Sequence, residues 1–182
     1  MSGWWKRHKQ DDRPVDIAAT AAEDAWQVFV GVQRALGDGA ADLSGDPFLV
    51  GVLASHAAIL STLLAGGPGD LAVTEAAMTG VLGRAFGMDT AAAVDFLMQF
   101  KSRPEYIQGV QASTLMLAAR FGRRDLQDDP QIVAARARLQ AMPEAVRQGQ
   151  GGEVHDQLAA LICLQLVIEP MQARYGTAPA TP

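Results

Sequence analysis

Apolar positions recur along this chain at helical spacing, and Asp, Pro and Gly punctuate them at short intervals. The pattern predicts seven helices. The first runs from about Pro14 to Leu36, with Ile17, Ala21, Ala25, Val28 and Val32 on one face and Gly37-Asp38-Gly39 as its stop. The second opens at Asp46-Pro47, where a capping carboxylate precedes a proline whose missing N–H costs nothing, and it reaches Ala65 before Gly66-Gly67-Pro68-Gly69. The third covers Asp70 to Phe86, with Leu71, Met78, Leu82 and Ala85 in a stripe. The fourth starts at Asp89 or Thr90 and carries Ala93, Phe96, Leu97 and Phe100.

The fifth opens at Ser102-Arg103-Pro104 and ends at Phe121-Gly122. The sixth begins at Asp129-Pro130, sets Ile132, Leu139, Met142 and Val146 against Arg136, Arg138 and Gln140, and is kinked or closed by Pro143. The seventh spans about Gly152 to Tyr175, with Pro170 breaking its last turns. No stretch alternates in the manner of a strand. Short connections make neighbours antiparallel, so the expected fold is all-α: a single-domain helical bundle of six or seven mostly antiparallel helices. Residues 14–176 form that domain, between a flexible basic head at 1–13 and a disordered tail at 177–182.

The third and fifth helices end alike, in Gly83-Arg84-Ala85-Phe86-Gly87 and Ala118-Ala119-Arg120-Phe121-Gly122. The offset suits a helical-hairpin repeat, but cations and glycine are favoured at any helix C-terminus, which explains the likeness without a repeat.

Composition narrows the picture. A chain of 182 residues that is 49% hydrophobic and 6% aromatic can bury a core, and its Ala, Leu and Met content favours helices. The net charge is −5. Four bases against two acids give residues 1–13 a charge of +2, leaving −7 for the rest. Nothing suggests a basic face large enough for nucleic acid. Basic residues near the start are followed by Asp11, Asp12 and Pro14 rather than an apolar core, so no secretory signal is expected and a cytoplasmic location is.

From Pro47 to Gly69 no residue carries a formal charge, with His56 taken as neutral. Length alone would let this segment cross a membrane. Gly51, Ser55, His56, Ser61 and Thr62 interrupt it, and no Trp, Tyr, Lys or Arg flanks it. The central helix of a bundle is the expected reading, with a membrane span as the alternative.

Catalytic signals are sparse. Cys163 is the sole cysteine and lies in an apolar run, which suits a small buried hydrophobe and excludes a disulfide framework. His8, His56 and His155 have no metal-ligand spacing, and Glu153-Val154-His155-Asp156 reads as an acidic first helical turn. No metal, cofactor or catalytic residue is therefore assigned. Arg120, Arg123 and Arg124 read as helix-end cations neutralised by Asp125, Asp128 and Asp129.

The least ordinary segment is the head. Trp4 and Trp5 beside Lys6, Arg7 and Lys9 combine apolar area with positive charge, which suits docking on a protein partner. Folding back onto the bundle and peripheral contact with an anionic membrane surface are the other readings. The leading functional expectation is a non-enzymatic protein-binding domain: an adaptor, assembly chaperone or structural subunit, with homo-oligomers open to it. The first alternative is a bundle that holds a small molecule or lipid in an apolar cavity, with His56 or Glu75 as polar contact. The second is a helical enzyme, which needs convergent polar groups; clustering of His56, Glu75 and Glu169 around one pocket would favour it and their dispersion would count against it.

Overall fold

The computed structural model describes residues 16–37, 42–67, 70–144 and 153–176. Seven helices run through them: α1 (Ile17–Leu36), α2 (Pro47–Ala65), α3 (Leu71–Phe86), α4 (Thr90–Phe100), α5 (Pro104–Phe121), α6 (Pro130–Ala141) and α7 (Val154–Tyr175). A short 3-10 turn at Arg124–Leu126 joins α5 to α6, and no strand occurs among the described residues. The all-α bundle expected from the periodicity is what forms. The Trp-containing head and the 177–182 tail lie outside the described residues.

Local chemistry sets the boundaries. Asp16, Asp46, Asp70, Asp89 and Asp129 each accept a backbone N–H from the first turn that follows, satisfying donors that helix geometry leaves orphaned. The cap of α1 is thus Asp16, two residues past the predicted start at Pro14. Three helices stop on a left-handed glycine, at Gly66 (φ 80°), Gly87 (φ 70°) and Gly122 (φ 65°). α6 ends at Ala141, and Met142 before Pro143 is extended, as the proline ring demands.

α2 is the axis of the bundle. Every residue from Phe48 to Ala57 is buried. Its neighbours are α1, α3 and α5, and α5 comes closest because both crossing points are glycine. A Cβ on Gly51 would lie 2.3 Å from the Tyr106 carbonyl oxygen, and one on Gly109 would lie 2.2 Å from that of Phe48. Backbone therefore rests on backbone. α2 and α7 are each long and apolar enough to cross a membrane, by length and composition. Of the most apolar stretch in α2, 67% is buried by the bundle itself, against 28% in α7. A row of rings, Trp26, Phe29, Phe86, Phe96 and Phe100, ties α1, α3 and α4 together at centroid spacings of 4.7 to 6.1 Å.

Three details depart from the sequence pattern. Leu71, predicted in the inward stripe of α3, is 84% exposed because it sits at the first helical position, beyond the reach of the core. On α1 the buried stripe runs through Ala21, Ala25, Phe29, Val32 and Leu36, leaving Val28 half-buried at its edge. Pro170 does not break α7. A π turn at Leu164–Ile168 widens the helix ahead of it, and the Glu169 N–H reaches back five residues to the Leu164 carbonyl. That extra residue per turn makes room for a proline that lacks an N–H, and the helix continues to Tyr175.

Candidate functional site

The widening of α7 begins beside a cleft, of about 400 Å³, between that helix and α1, α2 and α5. Its apolar wall is built from Val28, Met116, Leu117, Ala159, Ala160 and Cys163. Small side chains on α7 leave the space open. Polar groups gather at one side: Asp24 and Gln27 from α1, His56 from α2, Arg120 from α5 and Asp156 from the first turns of α7.

Asp24 is the hub. His56 Nε2 lies 2.8 Å from Asp24 Oδ1, and Arg120 donates from one terminal nitrogen to both Asp24 oxygens at 2.8 Å. The Arg120 Nε lies 3.5 Å from Asp156 Oδ1. Burial pushes the Asp24 carboxyl up, but the hydrogen bond from His56 and the positive charge of Arg120 outweigh it and hold the group at about 2, from an ordinary 3.8. Asp24 is consequently a carboxylate at any physiological pH. An ionised carboxylate only accepts, so Nε2 of His56 carries the proton of that bond. The other ring nitrogen, Nδ1, is buried and has no partner. With Nε2 committed to Asp24 and Nδ1 sealed from solvent, the imidazole is a structural link between α1 and α2, not an open base.

Cys163 stands in the same wall. Burial pushes its thiol up to about 11, so almost none is thiolate near neutrality and nucleophilic chemistry from it is disfavoured. Among the described residues no group of three or more His, Cys, Asp and Glu side chains is arranged to hold a metal ion.

The residues singled out from the sequence scatter. His56 lies in the cleft. Glu75 is exposed on α3 and borders a separate recess of about 590 Å³ with Thr79, Arg84 and Asp89. Glu169 is exposed beyond the π turn, with an oxygen 3.8 Å from Arg138. His56, Glu75 and Glu169, whose clustering would favour an enzyme, do not share a pocket. Trp4, Trp5, Lys6, Arg7, Lys9 and His8 lie outside the described residues. His155 places Nδ1 3.2 Å from the Ala119 carbonyl, closing the C-terminal end of α5.

Sequence reasoning missed Asp24 and Asp156 and gave Arg120 too small a role. Arg123 does pair locally, with Asp125, but Arg120 crosses to another helix. Arg84 and Arg120, which fall one position out of register in the echo between the third and fifth helices, bind the adjacent acids Glu23 and Asp24 of α1. Two helix ends are thus anchored on one acidic step, and that step also interrupts the apolar stripe of α1.

The fold and site define a helical bundle with a polar-edged cleft. Comparison with known proteins adds no family to that description: no family model, curated protein or solved structure matches the chain.

Proposed function

We propose that this protein is a small-molecule-binding helical bundle, taking an apolar ligand with a polar end into the cleft between α1, α2, α5 and α7. One observation carries the reading. An ionised, mostly buried Asp24 with Arg120 and His56 sits at the side of an otherwise apolar recess. Charged groups withdrawn from water cost stability unless fully compensated, and such an ion cluster is weak as a device for holding helices together. Apolar walls with a few converging polar groups are the usual makeup of a ligand site. His56 serves this reading as a positioning residue that fixes Asp24.

The test is native mass spectrometry of protein purified without detergent, with Ala160→Trp as control, since an indole at that exposed lining position narrows the cleft. A bound mass present in the wild type and absent from the variant is expected. Wild-type protein that takes up no apolar compound, even when incubated with a mixture of them, would overturn the reading.

A second reading keeps the protein-docking role. Its support is the charge split between a +2 head bearing Trp4 and Trp5 and the −7 remainder. Acidic partners or anionic surfaces would then be met by Lys6, Arg7 and Lys9. Deleting residues 1–12 should abolish partner capture in this case, and unchanged capture would remove the head from consideration.

A further inference from the structure

We infer that the cleft is selective for a primary amine carried on an apolar body, the ammonium group docking on Asp156 at the rim; this rests on the ligand-binding reading above. The argument begins with charge. Asp24 and Asp156 face the cleft with one guanidinium between them, and His56 is committed to Asp24 through Nε2. With His56 neutral, two carboxylates against one arginine leave a surplus of one negative formal charge among the described lining residues, offset in part by the N-terminus of α7 that carries Asp156.

Geometry says where that surplus lies. Arg120 spends its short bonds on Asp24, two of them at 2.8 Å from a single nitrogen. Among the described residues the ion pair to Asp156 is a 3.5 Å approach from Nε, well beyond the roughly 2.7–2.9 Å of a strong charge-assisted bond. Its side chain is 43% exposed, so a ligand can reach it. A carboxylate ligand would have to sit beside both acids and would gain an arginine that is already engaged. An alcohol could hydrogen-bond but would leave the surplus charge in place. An ammonium neutralises it and donates up to three hydrogen bonds, to Asp156 and to the outer face of the Asp24 carboxylate. Behind it, Val28, Leu117, Met116 and the paired alanines Ala159 and Ala160 offer an apolar bed to the rest of the molecule.

The buried Nδ1 of His56 strengthens the case independently. A fold that leaves a ring nitrogen unpaired in order to hold Asp24 in place sacrifices a hydrogen bond for the position of that carboxylate. The position matters because Arg120 makes its short bonds to Asp24 and a longer approach to Asp156.

Three probes with one ring and different heads test the inference on the full chain: 2-phenylethylamine, 2-phenylethanol and 3-phenylpropanoate, titrated while amide resonances of α1, α5 and α7 are followed by NMR. The amine should bind at least about tenfold tighter than the alcohol, and the carboxylate more weakly than both. Asp156→Asn should bring the amine to the level of the alcohol. Raising sodium chloride from about 50 to about 500 mM on the wild type should weaken the amine alone, a readout independent of any variant. Equal binding of amine and alcohol, tightest binding of the carboxylate, or an amine preference indifferent to both Asp156→Asn and salt would overturn the inference and leave the cleft reading standing. Failure of all three probes to move cleft resonances would bring down the cleft reading, and this inference with it.

Discussion

Asp24 and Arg120 stand 96 positions apart in the chain and meet through two 2.8 Å hydrogen bonds, joining α1 to α5 beside His56 at the middle of the central helix. The hydrogen bond from His56 and this pairing with Arg120 together make Asp24 a pH-dependent contributor to stability with a definite sign. Its folded value of about 2 lies below its ordinary 3.8, so the contribution is complete above the ordinary value and vanishes as pH falls through about 2. The difference corresponds to about 2 kcal/mol, an upper figure because the side chain is one-fifth exposed. Carboxyl-carbon NMR should place the Asp24 midpoint near 2, and Arg120→Met should raise it. A midpoint at or above 3.8 in the wild type would contradict the geometry.

The helix crossing at Gly51 and Gly109 predicts opposite outcomes for one type of substitution. Gly51→Ala and Gly109→Ala each drive a methyl into a facing carbonyl, so α2 and α5 must separate along their length; each should lose at least about 2 kcal/mol in urea titrations. Gly80→Ala on α3 meets only the Ala22 methyl, at 3.5 Å, and should gain about 0.5–1 kcal/mol from helix propensity. A stabilising Gly51→Ala would mean that the two helices do not touch as described.

Much of this architecture was written in short-range signals. An aspartate before each of five helices and a left-handed glycine after α2, α3 and α5 act within a single turn, so their effect can be read residue by residue. The burial of α2 followed from its lack of charge, because a helix apolar on nearly all sides needs cover on all of them. The cleft was less legible. Asp24 looks like an ordinary solvated acid beside Glu23, and only the arrival of α5 gives it Arg120. His56 was visible as an oddity in an uncharged helix, yet its partner lies 32 positions back, where periodicity carries no information. Pro170 misled because a π turn is a tertiary accommodation with no sequence mark of its own.

At the N-terminal end of α2, Asp46 does two jobs that substitution can separate. Its Oδ1 accepts the Leu49 N–H as a helix cap, while Oδ2 accepts from the Tyr175 hydroxyl at 2.9 Å and faces Arg174 at 3.3 Å. Asp46→Ala loses both roles and should cost about 2–3 kcal/mol. Asp46→Asn keeps a capping oxygen and should cost about 1 kcal/mol, as should Tyr175→Phe. Equal losses for the Ala and Asn variants would show that the cap contributes nothing.

The thiol in the cleft wall gives a chemical readout of the same space. With Cys163 pushed up from an ordinary 9.0 to about 11, its thiolate fraction at pH 8 is about 100-fold below that of an unburied cysteine. Alkylation by iodoacetamide in the native state should be slower by at least that factor, since burial also restricts approach. Unfolding in urea should restore the full rate, because the shift has no cause other than desolvation. A ligand seated against Ala159 and Ala160 should slow the native reaction further, whereas one bound at the Glu75 recess should leave it unchanged. Fast native labelling, at the rate of the urea-unfolded chain, would show that the thiol is not desolvated as its place in the cleft wall implies.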